Sequence, residues 1–372
     1  MSHWVAAWGA PPSYADRNPA QYARDITLRY TLRMGIAGSA MKLGFSNLFG
    51  DMEAELTRVV VRTADGEKHE VTFGGEKSAV LPVGGTLKSD ELSACVQPGT
   101  DVEVSIYLGK MCSMRTGVFC EGEYTRGWFA EGDRCDEELF TLLWAREMPV
   151  YFFLTDMEVL AGDETHAFVA FGDSITAQSW PEQLMDRLLA EGRTDLSVIR
   201  RGICGSRVLR EYESIAYLAY GPMGMKRFER EVFVPGAESV LILHGVNDII
   251  HPDGVNPCRP MAHLPTAEEL IDGLRAYIRL AREHGLKVYL ATILPMNGWR
   301  TDAPFRQEIR EAVNAWIRTT DEADGYVDFA AATCDPETPI RLLPECDSGD
   351  HLHPSREGAR RMAMSIPADF LR

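Results

Sequence analysis

The sequence predicts two domains of different class: an antiparallel, jelly-roll-like β-sandwich over residues 1–160 and a doubly wound α/β domain with a five-stranded parallel sheet over residues 165–372. Two observations predict this division. Short segments with an apolar residue at every second position recur through the first part of the chain, a period typical of half-buried strands. Beyond Asp163, uniformly apolar segments alternate with segments of helical period, as in a parallel sheet covered by helices. The polar segment 160–166 is the predicted linker.

In the first domain, five segments carry the strand signature. In the first of them Ile26, Leu28 and Tyr30 alternate with mostly polar neighbours. The sequence Ala-Asp-Gly at 64–66 is a turn signal between two of these segments, as an antiparallel pair requires. The segments are ITLRYTLRM, MKLGF, TRVVVRT, HEVTF and DVEVSIYL.

In the second domain, five apolar segments predict the strands of the parallel sheet, and four amphipathic segments predict helices between and after them. The helix over 266–284 has the clearest boundaries, because Thr266 and Glu269 form a capping box and Gly285 is a stop signal. The predicted strands are 167–171, 197–203, 239–245, 287–294 and 326–329; the other helices begin near Pro181, contain Ile309 and Ile317, or begin near Pro354.

Charge and composition exclude several classes of function. A formal net charge of −17 disfavours binding to nucleic acid or to anionic lipid. No segment approaches the roughly 20 apolar residues of a membrane span, and the start of the chain lacks the features of a signal peptide, so we expect a cytoplasmic protein. The eight cysteines are scattered without a C-x-x-C pair, which favours free thiols over disulfides or a cysteine-bound metal.

Polar residues follow the predicted parallel strands. Gly-Asp-Ser ends at Ser174 after the first strand, Gly205 follows the second, Asn247 follows the third, and Asp350 and His353 lie on the segment after the fifth. Since ligands of such sheets bind beyond the carboxyl ends of the strands, we expect these residues to converge.

These residue types match nucleophilic acyl transfer. A serine hydroxyl needs a base within hydrogen-bond reach, and that base needs a carboxylate to orient it, which predicts the triad Ser174, His353 and Asp350. The backbone N–H groups of Ser174 and Gly205 and the side-chain amide of Asn247 are the predicted oxyanion donors, each worth about 3 kcal/mol in the transition state. We expect Gly205 to be a glycine because a side chain would block its amide. The chemistry requires no metal and no organic cofactor.

The motifs GDSI, ICGS, GVND and DHLH, in this order, resemble the four blocks of the SGNH, or GDSL, hydrolase superfamily. The resemblance covers the chain from about residue 165 and implies a flavodoxin-like fold and the roles given above. The opening WVAAWGAPP and the segments TLRYTLRM and LGFSNLFG resemble a branch with an N-terminal β-sandwich, similar to xylan-associated carbohydrate esterases. That resemblance implies removal of acetyl groups from carbohydrates.

The expected function is therefore a serine esterase that acts on a small-molecule or oligosaccharide ester, with Asp173 and Trp299 as further candidate substrate contacts. Alternatives remain open: a thioesterase or lysophospholipase-like acyl hydrolase, or a catalytically silent sugar-binding protein. Gly-Asp-Ser alone is common at helix N-caps. His351 is expected to be a surface or supporting residue. A metal cluster is disfavoured; its candidate ligands are His351, His353, Asp347 and Asp350, with His244 and His251. A homo-oligomer is neither predicted nor excluded.

Overall fold

The computed structural model describes residues 1–15, 22–138 and 146–372. The chain divides into two compact units, one of Met1–Ala167 with Leu188–Ile199 and one of Phe168–Arg187 with Arg200–Arg372. Within the described ranges, no helix combines the length and the apolar character that crossing a membrane requires.

The described residues form strands throughout the first unit and alternate between strands and helices in the second. The strands are β1 (Ser2–Gly9), β2 (Tyr22–Ala23), β3 (Ile26–Arg33), β4 (Met41–Ser46), β5 (Ala54–Leu56), β6 (Arg58–Arg62), β7 (Lys68–Glu70), β8 (Ala79–Leu81), β9 (Thr86–Lys88), β10 (Asp101–Leu108), β11 (Cys112–Ser113), β12 (Gly117–Phe119), β13 (Arg126–Glu131), β14 (Arg146–Glu147), β15 (Val150–Phe152), β16 (Leu154–Gly162), β17 (His166–Gly172), β18 (Leu196–Gly202), β19 (Ala237–Leu243), β20 (Lys287–Ala291) and β21 (Gly325–Val327). The α-helices are α1 (Ser174–Ala177), α2 (Trp180–Ala190), α3 (Gly224–Val232), α4 (Val246–Ile250), α5 (Ala267–Glu283), α6 (Pro304–Thr319), α7 (Phe329–Thr333) and α8 (Arg356–Ser365); 3₁₀ helices cover Ile215–Tyr220, Met261–His263, Pro344–Cys346 and Ala368–Leu371.

The first unit is built from antiparallel sheets, which confirms its predicted class. A four-stranded sheet has the order β1-β16-β4-β9, and a six-stranded sheet has the order β14-β13-β3-β10-β6-β7. Strand β3 was predicted to be half-buried, but Thr27 and Arg29 on its polar face are buried as well. Arg29 tolerates this burial because its Nε donates to Ser105 Oγ at 2.9 Å and its guanidinium also reaches backbone carbonyls.

The parallel sheet has the order β18-β17-β19-β20-β21, and the predicted five-stranded α/β fold is confirmed. Each predicted segment forms a strand, although the second to fifth strands end before the predicted segments do. The chain passes from β17 to β18 on one side and then returns to β19 on the other side of β17. The loops after these three strands therefore surround the point where the strand order reverses, which is where such sheets bind ligands.

The structure differs from the predicted linker at 160–166. Residues 160–162 complete β16, and His166 already belongs to β17. The remaining residues form a tight turn in which Thr165 N donates to Gly162 O at 3.0 Å. The polar composition of this segment therefore reflects a short turn between two strands.

The helices of the second unit begin close to the predicted positions. The capping box of Thr266 and Glu269 is present at the start of α5. Helix α2 contains Pro181 as its second residue, and α8 begins one residue after its N-cap Ser355. Trp180, the first residue of α2, is fully buried and contacts the ring of Phe329 of α7 in an edge-to-face arrangement, at a ring-centroid distance of 5.5 Å.

Candidate active site

Two glycines allow close backbone contacts at the carboxyl ends of β17 and β18. A Cβ atom on Gly172, the last residue of β17, would lie 2.2 Å from the carbonyl oxygen of Leu243. A Cβ on Gly202, the last residue of β18, would lie 2.2 Å from the backbone nitrogen of Ala177. Any larger residue at either position would push the strands or helix α1 apart, so these glycines permit the loops of the site to meet.

Ser174 is the first residue of the short helix α1 and directly follows β17 and Asp173. Its residue surface is 8 % exposed. The first N–H groups of a helix have no partner within the helix, so the backbone around Ser174 presents donors at the carboxyl edge of the sheet.

Ser174, His353 and Asp350 are joined by two hydrogen bonds. Ser174 Oγ lies 2.8 Å from His353 Nε2, and His353 Nδ1 lies 2.6 Å from Asp350 Oδ2. The serine is 179 residues away from the histidine in sequence. The three residues that were predicted to form a triad are thus brought together in the order that proton transfer requires.

Asp350 is held in its charged form. Burial alone would raise the pKa of its carboxyl, but the hydrogen bonds from the side chain and the backbone N–H of His353 outweigh burial and place the pKa well below its usual range. Oδ1 accepts from the backbone nitrogens of Leu352 at 3.0 Å and His353 at 2.9 Å. A carboxylate fixed in this way can orient the imidazole and stabilise its protonated form.

A second imidazole–carboxylate pair lies on the same loop. His351 Nδ1 is 2.7 Å from Asp347 Oδ2, and Asp347 Oδ1 accepts from the backbone nitrogens of Gly349 and His351. His351 has a left-handed backbone with φ +67, which is rare for a residue with a side chain. Its ring packs against Gly298, where an added Cβ would lie 2.9 Å from the ring. His351 is thus a half-exposed supporting residue that contacts the 297–302 loop, and no sequence signal indicated this contact.

Gly205 adopts φ +79 and lies directly beneath the ring of Tyr220. A Cβ at this position would lie 2.2 Å from Tyr220 Cδ1. The backbone conformation and the ring of Tyr220 are thus further reasons for a glycine here, beside the predicted one of open access to its amide. No hydrogen bond joins the amide of Gly205 to another part of the described chain.

The segments that carry Gly205 and Asn247 are joined to each other. Asn247 Nδ2 donates to Ser206 O at 3.0 Å, which leaves its second N–H for a ligand. The neighbouring Asp248 accepts from the backbone nitrogens of Val208 at 2.8 Å and Leu209 at 3.0 Å. Burial raises the pKa of Asp248 to about 6, and the two backbone donors oppose that rise.

Arg227 of α3 donates hydrogen bonds to the ends of the strands and to the loop after β18. This residue was not identified from the sequence. Its fully buried guanidinium donates to Gly172 O at 2.5 Å, to Ser206 Oγ at 3.3 Å and to Arg201 O at 3.2 Å. Glu231, one helical turn later, neutralises its charge through a short ion pair. The i, i+4 spacing of these two residues was the available signal.

Asp173 does not occupy the predicted position of a substrate contact. Its side chain is buried and accepts a hydrogen bond from Ile175 N at 3.1 Å, so it caps α1. Burial raises the pKa of its carboxyl to about 7, against the opposing effects of that hydrogen bond and of the charges on His353 and Arg227. A buried side chain offers no surface to a substrate. Asp173 instead stabilises the start of the helix that contains Ser174.

Trp299 is brought next to the triad. Its ring lies edge-on to the ring of His353, at a centroid distance of 6.2 Å. Its Nε1 is buried and has no hydrogen-bond partner among the described residues. Buried indole N–H groups usually have a hydrogen-bond partner, so this unpaired donor is unusual.

The histidines that were considered for a metal site have other partners. His244 Nδ1 lies 3.1 Å from Tyr277 Oη, and its Nε2 lies 3.1 Å from Ser206 O. His251 Nδ1 contacts the hydroxyl of Tyr212. Burial holds the pKa of both imidazoles well below the usual range, so both are neutral polar groups of the core.

Comparison with known proteins gives a consistent family for this unit. Residues 170–361 match the GDSL-like Lipase/Acylhydrolase family. A GDSL-like lipase of Bacteroides thetaiotaomicron is similar at 21% identity over 55% of this chain and 87% of its own, with a TM-score of 0.38. An acetylxylan esterase of Geobacillus stearothermophilus is similar at 20% identity over 55% of this chain and 94% of its own, with a TM-score of 0.43. No protein of curated function matches the chain.

Proposed function

We propose that this chain, which belongs to the GDSL-like Lipase/Acylhydrolase family, is a serine esterase that removes acetyl or similarly short acyl groups from carbohydrates. The family match spans more than half of the 372 residues and includes Ser174, Gly205, Asn247, Asp350 and His353. Membership identifies an ester hydrolase. The acyl group, the alcohol and the roles of individual residues are the proposal.

One observation carries the proposal: the continuous hydrogen-bond chain from Ser174 Oγ through both nitrogens of His353 to Asp350. A serine hydroxyl is not nucleophilic at neutral pH unless a base accepts its proton as it attacks. The 2.8 Å separation of Oγ and Nε2 places that base within reach without movement of either side chain.

In the proposed mechanism, Ser174 Oγ attacks the ester carbonyl carbon while His353 Nε2 takes the hydroxyl proton. The charge that develops on the carbonyl oxygen is stabilised by the N–H groups of Ser174, Gly205 and Asn247. Nε2 then gives the proton to the departing alcohol, which leaves an acyl-enzyme. Water, activated by the same nitrogen, attacks the acyl-enzyme, and the carboxylic acid leaves as the Ser174 hydroxyl is restored. Asp350 remains ionised throughout and stabilises the protonated imidazole.

The surroundings of the triad favour a polar alcohol. The unpartnered Nε1–H of Trp299 beside His353 is available to a hydroxyl of the leaving group. The connection from Ser174 to α2 is short and offers little lining for a long acyl chain. A short acyl group on a hydroxyl-rich alcohol meets both conditions.

The test is the hydrolysis of p-nitrophenyl acetate by the Ser174→Ala variant. We expect kcat to fall by at least about 10³-fold, since the nucleophile is lost, while the far-UV circular dichroism spectrum is unchanged. Ser179→Ala, in the connection that follows α1, is the matched control and should retain activity. Retained turnover in Ser174→Ala would refute the proposed mechanism, and a wild-type protein without any esterase activity would instead indicate a silent binding protein.

A second candidate is a hydrolase or thioesterase for longer acyl chains. The observation in its favour is the exposure of Ile215 and Val255, at 73% and 89%, which offers apolar surface on the second unit. Rates measured on p-nitrophenyl esters from acetate to dodecanoate separate the two. A steep fall with chain length supports the acetylesterase, and a preference for long chains would replace it with the second candidate.

A further inference from the structure

A cavity of about 630 Å³ lies in the second unit between the segments 210–214 and 257–263. Its volume is within the range of small-molecule sites, which is about 300–1,000 Å³. The groups that line it include the guanidinium of Arg210, the ring of Tyr212 and the imidazole of His263. Its lining thus combines charged and aromatic groups with two prolines, Pro257 and Pro260, a composition that suits a polar ligand with an apolar face.

The cavity is close to the proposed oxyanion donor Gly205. Its wall at 210–214 continues directly from the loop that contains Gly205, and Asp248 fixes that loop at Val208 and Leu209. The ring of Tyr212 lies 5.3 Å from the ring of Tyr220, and Tyr220 covers Gly205. Two tyrosine rings in edge-to-face contact therefore lie between the cavity and the proposed oxyanion donor Gly205.

The cavity carries donors without partners. Arg210 is exposed and makes no hydrogen bond or ion pair with any described residue. His263 Nδ1 is buried and likewise has no partner in the described part of the chain. Behind Tyr212, the guanidinium of Arg207 lies 4.0 Å from the ring centroid and is 2 % exposed. Of its nitrogens, Nη2 donates to Glu211 O, whereas Nε and Nη1 have no partner among the residues described.

The balance of charge at the cavity favours an anion, although the whole chain is acidic. Glu211 is neutralised by an ion pair with Lys226. Glu213 is exposed. Burial first, and then the charges of Arg210 and Arg207, lower the pKa of the His263 imidazole, and the charge of Glu213 raises that pKa by a smaller amount. Arg207, buried behind Tyr212 without an ion-pair partner among the described residues, adds positive charge next to the cavity, and Arg210 on the cavity wall can bind a carboxylate through two parallel hydrogen bonds.

From these observations we infer that the cavity binds a carboxylate on the alcohol part of the ester, so that the preferred substrate is an O-acetylated sugar acid or an oligosaccharide that contains one. Arg210 is the residue that contacts the carboxylate, and the ring of Tyr212 packs against the sugar. This inference rests on the proposed function, because it identifies the alcohol of the same ester.

The experiment compares two esters that differ only at C6: a mono-O-acetylated methyl glucuronoside, with a carboxylate, and the corresponding mono-O-acetylated methyl glucoside. We expect the wild-type protein to have a kcat/KM at least about tenfold higher for the glucuronoside, in line with a charge-assisted hydrogen bond. Arg210→Ala should remove that preference mainly by raising KM, and Arg210→Lys should retain part of it because it keeps the charge. The preference should also shrink between about 0.01 M and 1 M salt.

Arg279→Ala is the matched control, since Arg279 is an exposed arginine on α5 with no partner among the described residues, and it should keep the full preference. Equal kcat/KM for both esters in the wild type, or an equal loss on both esters in Arg210→Ala, would overturn the inference. Hydrolysis of p-nitrophenyl acetate separates this failure from a failure of the proposed function. A wild-type protein that cleaves it without preferring the glucuronoside disproves the cavity assignment alone, and one that cleaves none of the three esters disproves both.

Discussion

Replacing Gly205 by alanine tests whether the backbone amide at this position stabilises the transition state. The added Cβ would lie 2.2 Å from Tyr220 Cδ1 and 2.3 Å from Cγ, whereas carbon atoms in contact are about 3.5–4.0 Å apart. The ring or the backbone at 205 must therefore move by more than 1 Å, roughly the difference between these distances. The alanine must also adopt φ +79, which costs about 1–2 kcal/mol.

The expected loss of activity follows from this displacement. A donor moved by about 1 Å can cost 10²-fold in rate, and complete loss of an oxyanion donor costs about 10²–10³-fold in kcat. We therefore predict that Gly205→Ala lowers kcat for p-nitrophenyl acetate by about 10²-fold. Because the interaction forms only in the transition state, kcat and kcat/KM should fall together.

Two further variants make the test specific. Gly285→Ala has the same left-handed backbone, with φ +77, but nothing within 4 Å of the added Cβ, so it should lose stability without losing activity. Tyr220→Ala combined with Gly205→Ala removes the steric conflict and should recover at least tenfold of the lost kcat, measured against Tyr220→Ala alone. If Gly205→Ala keeps kcat within about threefold of Gly285→Ala, the amide of residue 205 is not an oxyanion donor.

The remaining predictions concern stability. The pKa of Asp173 is about 7 in the folded state and 3.8 in the unfolded chain, so the folded state binds the proton more tightly and Asp173 lowers stability as pH rises through this interval. Asp173→Asn keeps the helix cap and should raise the free energy of unfolding more at pH 8 than at pH 4. The difference between the two gains should be at most roughly 4 kcal/mol. Urea titrations that give the same gain at both pH values would contradict this. His351→Ala should be less stable than His351→Asn by about 1 kcal/mol, since asparagine tolerates the left-handed backbone at φ +67; equal urea midpoints would show that the backbone at 351 relaxes.

The strand ends were predictable from the sequence because a parallel sheet brings them together whatever the intervening chain does. Ser174 and His353 could be paired in this way although 179 residues separate them. The five apolar segments marked the strands, and the motif after each segment marked the loop. The antiparallel class of the first unit followed from its period of two, but the burial of Arg29 did not, because its partners are backbone carbonyls distant in sequence.

What the sequence could not predict depends on contacts between side chains and on burial. Gly205 was recognised as a glycine of the site, but the ring that covers it belongs to Tyr220, whose position no pattern specified. Asp173 was assigned to substrate binding because a carboxylate beside a nucleophile invites that interpretation, and only its burial shows that it caps the helix instead. The i, i+4 spacing of Arg227 and Glu231 indicates an ion pair on α3, but it does not indicate that Arg227 donates to the backbone at the end of β17.

Asp248 and Asn247 fasten the two oxyanion-donor segments to each other through three hydrogen bonds, at Ser206, Val208 and Leu209. Two of the three proposed donors, Gly205 and Asn247, are therefore held in a fixed relation to each other before an ester binds. For the proposed acetyl group this matters greatly, because two carbon atoms offer too few contacts to drive a rearrangement of the protein. An oxyanion hole that is already formed before binding can therefore act on an acyl group as small as acetyl.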